Sequence, residues 1–351
     1  MTVRVNKSAF NIREKLSELE RPIGVKGNEL MRAETAQDAR DLVSAGRKNL
    51  LINGDMRIAQ RGTSGTKNGN GYGGYLSVDR WAGYYDDTTI AQTDVTINEK
   101  VKKALKVTGA SPNGRPYVYQ KIENGSRLVG DGTPFSISFW ARASANAEAT
   151  IQWRYYDNGN QNNSDNTTIK NIDLTTEWKH YKIENITEVD SNYSITRDAG
   201  IWFYNADGSV GSGLWFEFAE VQVELGKNAT DFEHRSYGEE LALCQRYFYK
   251  EPGLAYHPGI LDGSSANYVE AWAYHPVEMR ATPTAEFHQI APFYYNNGAE
   301  ASFTPSGGNT GYGGNSRVGY AVKQVVSNGP GSSHAQKVGQ WSVQLSFSAE
   351  L

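Results

Sequence analysis

From residue 76 onward, apolar positions recur mostly with a period of two, in short runs separated by Gly, Asn, Ser and Asp. The runs Leu76–Tyr85, Thr88–Ile97, Ala104–Val107, Tyr117–Glu123, Phe135–Ala143, Ala149–Tyr156, Trp178–Glu184, Gly200–Tyr204 and Leu214–Leu225 read as strands. Within Leu214–Leu225 the parity changes. Leu214, Phe216 and Phe218 share one face, then Val221, Val223 and Leu225 carry the apolar side. An odd step would turn every later side chain over, so a β-bulge is expected near Ala219–Glu220. Nine strands in this span predict one antiparallel sandwich.

Upstream, Asn49–Arg61 reads as a strand and turn, with Asn53-Gly54 as the turn dipeptide. Downstream, Glu239–Tyr249 reads as a short helix, and Asn267–His275, Thr284–Ile290 and Arg317–Val326 as further strands. The C-terminal run alternates most sharply: Trp341, Val343, Leu345, Phe347, Ala349 and Leu351 lie on one face, with Ser, Gln and Glu on the other. Residues 1–48 have helical spacing instead. Ile12, Leu16 and Leu19 fall at i, i+4 and i+7, and Ala39, Leu42 and Val43 mark a second helix. Both stripes are narrow, so these helices need a partner surface. The expected organisation is a helical segment (1–48), a jelly-roll sandwich (49–228), a linker with a short helix (229–249) and a smaller β domain (250–351).

Composition sharpens this mainly β picture. The chain of 351 residues holds 36 Gly, 21 Tyr and 8 Trp. Net charge is −4, so no global basic field argues for nucleic acid. Residues 1–48 carry ten Lys/Arg against seven Asp/Glu, leaving −7 on the remainder. A basic head on an acidic body suggests that the head docks elsewhere. The single cysteine, Cys244, precludes an intrachain disulfide. The chain shows no apolar run fit for a signal peptide or a membrane span.

Catalytic motifs are absent: no HExxH, no GxSxG and no Walker sequence. The glycine run at 69–74 follows no apolar strand and opens no helix, so a phosphate cradle is not expected. Aromatic residues cluster instead: Trp81 with Tyr84 and Tyr85; Trp153 with Tyr155 and Tyr156; Trp202 with Tyr204. In a strand, Trp153 and Tyr155 share a face, as do Trp202 and Tyr204. Gln152, Arg154 and Asp157 lie beside the first pair. Rings flanked by amides, guanidinium and carboxylate suit a sugar, whose C–H faces meet the rings while its hydroxyls meet polar groups. Trp153, Tyr155, Trp202, Tyr204 and Trp81 are therefore the candidate glycan platform. Core packing is the competing role for each of them.

Several stretches resemble one protein class. Asn49-Leu-Leu-Ile-Asn-Gly-Asp55, with Asp79-Arg80-Trp81, resembles the opening of jelly-roll modules in phage tail proteins, which are similar to carbohydrate-binding modules. Met56 stands where those modules usually carry an aromatic. Thr230–Gly238 and Leu241–Tyr247 resemble the closing segment of phage tail fibre or tail-tip proteins. The resemblance implies a virion protein without enzymatic activity, made in the host cytoplasm. It implies a homotrimer anchored to tail adaptor or nozzle proteins through residues 1–48 and binding a host surface glycan, with no membrane insertion. It also suggests a structural Ca²⁺ held by Asp55 and an acid such as Glu220. A structural tail adaptor or capsid decoration protein is the alternative, and a glycan depolymerase the second.

Overall fold

The computed structural model describes residues 48–67, 74–84, 88–109, 117–125, 129, 132–156, 166–187, 198–205, 213–251, 255–262, 268–290, 293–295, 300–301, 317–325 and 337–350. The expected helices before residue 48 and most of the glycine run at 69–74 lie outside them. Residues 49–351 form one compact unit.

Twelve strands build two six-stranded antiparallel sheets. The first has the order β1 (Ser64–Lys67), β4 (Thr88–Ile97), β5 (Lys100–Gly109), β12 (Trp215–Leu225), β7 (Phe135–Ala143), β10 (Lys179–Ile186). The second has the order β2 (Gly74–Tyr75), β3 (Ala82–Tyr84), β6 (Tyr117–Ile122), β11 (Asp198–Asn205), β8 (Ala147–Tyr156), β9 (Asn166–Leu174). The chain crosses repeatedly between sheets, as in jelly-roll sandwiches. One face of each sheet is apolar, and those faces meet. Phe135, Ile137, Phe139, Phe216 and Phe218 of the first sheet join Ile151, Trp153, Ile201 and Phe203 of the second in one core.

The bulge lies where the parity change placed it. The β12–β7 register shifts between Ala219 and Gln222, and Glu220 has φ 49°. Its effect is that Phe216 and Phe218, then Val221 and Val223, all reach the same core. Four expectations are corrected. Leu50–Ile52 is not a strand; positive φ at Asn53 and Met56 coils the segment, and side chains satisfy its backbone. Gln120, for example, accepts from the Ile52 N–H and donates to its carbonyl. Of the expected strand Leu76–Tyr85 only Ala82–Tyr84 is strand; residues 77–80 form a bend and turn, with φ 72° at Arg80. Strand β9 was missed because its apolar residues are few: Ile172 and Leu174 enter the core and Ile169 packs at its edge, in a run that is otherwise polar. The helix, α1, spans Tyr237–Gln245 rather than Glu239–Tyr249. Ser236 caps it, and Phe248 begins strand β13 (Phe248–Lys250).

A third, eight-stranded antiparallel sheet follows. Its central strand, β20 (Lys337–Ser348), pairs with β13, β14 (Ala255–Asp262), β16 (Thr284–Ile290) and β17 (Phe293–Tyr295). Strands β15 (Tyr268–Tyr274), β18 (Glu300–Ala301) and β19 (Gly319–Val325) complete it. Leu345, Phe347 and Ala349 are buried on one side, as their alternation required.

Candidate functional site

The second sheet sorts the sequence-selected aromatics by parity. Trp153 and Tyr155 face inward with 0% and 4% exposure, and Trp81 has 0%. Trp153 packs on Phe135 at 5.0 Å between ring centroids. The Trp81 indole N–H donates to the Asn53 carbonyl at 3.0 Å, and the Tyr155 hydroxyl to the Val129 carbonyl at 3.2 Å. These three side chains are core, which removes them from any ligand platform.

Trp202 and Tyr204 do point out of the sandwich, together with Tyr117 and Tyr119 of β6 directly opposite them. The rings close on one another. Tyr119 stacks on Trp202 at 4.1 Å, and the Arg154 guanidinium covers the indole at 3.8 Å. Trp202 is left 1% exposed. Tyr117 stacks on Tyr204 at 4.8 Å. Gln152 ties the cluster together. Its amide donates to the Tyr204 hydroxyl at 3.0 Å, and its carbonyl accepts from Arg154 at 3.1 and 2.8 Å. The predicted neighbours are present, yet they saturate each other and only the half-buried Tyr204 offers an edge.

The outer face of the first sheet is different. Strand β7 turns Phe139 and Ala141 inward, so Trp140 and Arg142 face out. Strand β12 turns Phe216 and Phe218 inward, so Trp215 and Glu217 face out. Trp178 enters from the turn before β10. All three tryptophans are half-buried, and Trp140 and Trp178 pack over a floor of Val95, Ile97, Ala104 and Ala219. The Arg142 guanidinium lies 4.9 Å from the Trp178 ring centre and 5.5 Å from that of Trp215. Glu217 fixes it, accepting from Arg142 Nε at 2.7 Å, while the Thr93 hydroxyl donates to the other carboxylate oxygen at 3.2 Å. Lys106 Nζ sits 4.3 Å from the Trp215 ring centre. The exposed His180 stacks on Trp140 at 4.9 Å. Desolvation, then Lys182, lowers its pKa. Three accessible indoles with a fixed donor–acceptor pair and an added cation are the elements of saccharide recognition.

Sequence reasoning passed over these tryptophans. Their signal was parity: Trp140 and Trp215 occupy the polar face of strands whose other face is apolar, where a large indole has no core role.

The expected calcium donors do not fit a resident metal. The Gly54 carbonyl accepts from the Val221 N–H at 2.8 Å, so the turn holding Asp55 does adjoin the bulge holding Glu220. But Asp55 is ion-paired with Arg57 and Glu220 with Lys102. Among the described residues no group of three acids, histidines or cysteines comes together. Two cations already supply the charge a metal would bring.

The segment Thr230–Tyr247 has a structural role. Buried Arg235 donates to the Leu51 carbonyl at 3.1 Å and also to that of Asn49. Its ion-pair partners are Glu233 at 2.8 Å and Glu240 at 3.3 Å. Glu240 in turn accepts from the Asn53 N–H. The signature thus clasps the opening turn of the sandwich.

No protein-family model matches the chain, and no curated protein matches it. Solved structures overlap about half of it. The enzymatically active domain of tailspike protein 4 of bacteriophage CBA120 is 14% identical with TM-score 0.34, over 51% of this chain and 21% of that one. A xylan-binding domain from Paenibacillus barcinonensis is 15% identical with TM-score 0.32, over 53% of this chain and 100% of that one. A family 11 carbohydrate-binding module of a Clostridium thermocellum cellulase is 16% identical with TM-score 0.29, over 46% and 93%. Likenesses this slight carry no function across.

Proposed function

We propose that the chain is a non-enzymatic glycan-binding protein, a host-surface adhesin of the phage tail fibre kind. The outer face carrying Trp140, Trp178 and Trp215 supports this reading. Its indoles are accessible, and their donors and acceptors are held in place before any ligand arrives. Such preorganisation reduces the entropy a ligand must lose on binding. The resemblance of the Asn49–Asp55 and Thr230–Tyr247 stretches to tail fibre modules supplies the biological setting. Within that setting residues 1–48 are the attachment segment to tail proteins, and the working assembly is a homotrimer.

The test is a glycan array probed with the full chain, beside Trp140→Ala and Trp202→Phe. Trp140→Ala should lose binding to every glycan the wild type captures, whereas Trp202→Phe should retain it. An array with no captured glycan defeats the proposal. Release of oligosaccharides from a captured polymer would replace adhesion with depolymerisation. Sedimentation of the full chain decides the trimer, and loss of particle incorporation on removing residues 1–48 decides the anchor.

A further inference from the structure

The charges on the tryptophan face specify more than a sugar. Glu217 is its carboxylate nearest the indoles, and both of its oxygens are occupied, by Arg142 and by Thr93. Farther along, Glu220 is paired with Lys102. Lys106 is the cation beside Trp215 that has no ion-pair partner among the described residues, and its ammonium rests over the indole. Arg142 approaches the same indole from the neighbouring strand. Its Nε and Nη2 engage Glu217, leaving Nη1 for another acceptor. Two cationic donors on separate strands therefore converge on Trp215, beside indoles that can take the apolar face of a pyranose. This net positive spot lies on a chain whose net charge is −4.

We propose that the ligand of this face is an acidic glycan, whose anionic substituent is held between Lys106 and Arg142 while neighbouring rings rest on Trp140 and Trp178. The proposal rests on the glycan-binding reading and narrows its ligand class. A neutral glycan would leave the Lys106 ammonium unmatched and gain only ring contacts. An anionic one gains a charge-assisted hydrogen bond at a partly desolvated site.

The experiment is affinity electrophoresis of the full chain through gels containing matched polymers. Polygalacturonate is compared with its methyl-esterified form, and dextran sulfate with dextran. The wild type should bind at least one charged polymer about tenfold more tightly than its uncharged match, a step of the size one such hydrogen bond provides. Lys106→Gln should remove most of that preference, and Trp140→Ala should weaken binding to the same polymer. Preference for polygalacturonate assigns a carboxylate ligand, and preference for dextran sulfate alone assigns a sulfate. Equal binding of charged and uncharged partners, or an unchanged Lys106→Gln, overturns the acidic class while leaving glycan binding intact. Loss on Lys106→Gln with none on Trp140→Ala reduces the effect to general ion attraction and also overturns it. Absence of binding to all four polymers overturns the acidic ligand, and the glycan array then decides separately whether glycan binding itself survives.

Discussion

Trp153 fills the gap between the two sheets, in ring contact with Phe135 and Tyr155, and its indole N–H meets no acceptor. Removing the ring leaves a cavity that close-packed neighbours cannot fill. Trp153→Ala should therefore cost about 3–5 kcal/mol in urea unfolding. Trp153→Phe removes the orphaned N–H and keeps most of the ring, so it should cost well under half as much. Trp140, half-buried over alanines, should lose only about 1 kcal/mol on substitution by Ala, because less apolar area returns to water. A Trp140→Ala cost as large as that of Trp153→Ala would show that its face is core rather than a binding surface. Parity was legible: it puts Trp153 and Tyr155 on one face of their strand, but which face turns inward is set by the packing of the two sheets, where Ala149 and Ile151 share their side. The stack of Tyr119, Trp202 and Arg154 was not legible, because it joins residues from three strands whose order in the sheet no single stretch encodes.

Strand β12 shows how much one element determines. Its odd step was readable because both halves are strongly apolar, and the bulge lets each half reach one core. The cost is a non-glycine residue, Glu220, in the left-handed region, held there by the turn at Asn53–Asp55. Gly54 makes that contact close. A Cβ on it would sit 2.2 Å from the Val221 carbonyl oxygen, which is backbone and cannot swing aside. Gly54→Ala should destabilise by at least about 2 kcal/mol, an overpacking cost, and should lower the midpoint of thermal unfolding. A midpoint equal to the wild type's would mean that turn and bulge do not touch. The closing segment Thr230–Tyr247 was legible as a signature but not as a mechanism. Arg235 reaches back across more than 180 positions to Leu51 and Asn49, and sequence spacing carries no trace of that contact. The boundary of α1 was misread for a similar reason: Phe248 fits a helical stripe, yet pairing with Ser348 draws it into a sheet.

The sandwich and the C-terminal sheet are joined by charge as well as by packing. Arg80, 1% exposed, is ion-paired with Glu350, donates to the Lys121 carbonyl at 2.7 Å and lies 3.7 Å from the Tyr247 ring centre. Arg61 bridges Glu350 at 3.1 Å and Asp79 at 3.6 Å. Burial raises Asp79 from 3.8 to about 6, with Arg61 pulling the other way. A carboxyl raised in the folded state binds its proton more tightly there than when unfolded. Its contribution to stability is complete below the unfolded value and declines as pH rises through the folded one, here between about pH 4 and pH 6. Asp79→Asn should flatten the fall in urea midpoint across that window relative to the wild type, and an unchanged slope would remove Asp79 as its source. Glu350 offers the sharper test of the joint. Glu350→Gln keeps the shape but strands the Arg80 charge in the interior, and breaking one side of a buried pair costs about 3–5 kcal/mol. Replacing both partners, Arg80→Met with Glu350→Leu, leaves no buried charge and should recover most of that loss. Urea unfolding of Arg80→Met, Glu350→Leu and the double variant completes the cycle. If the double variant is as unstable as the sum of the singles, the two side chains act independently and the joint is held by packing at Tyr247 and Phe248 alone. If stability returns, the ion pair fixes which surfaces meet more than it strengthens their meeting.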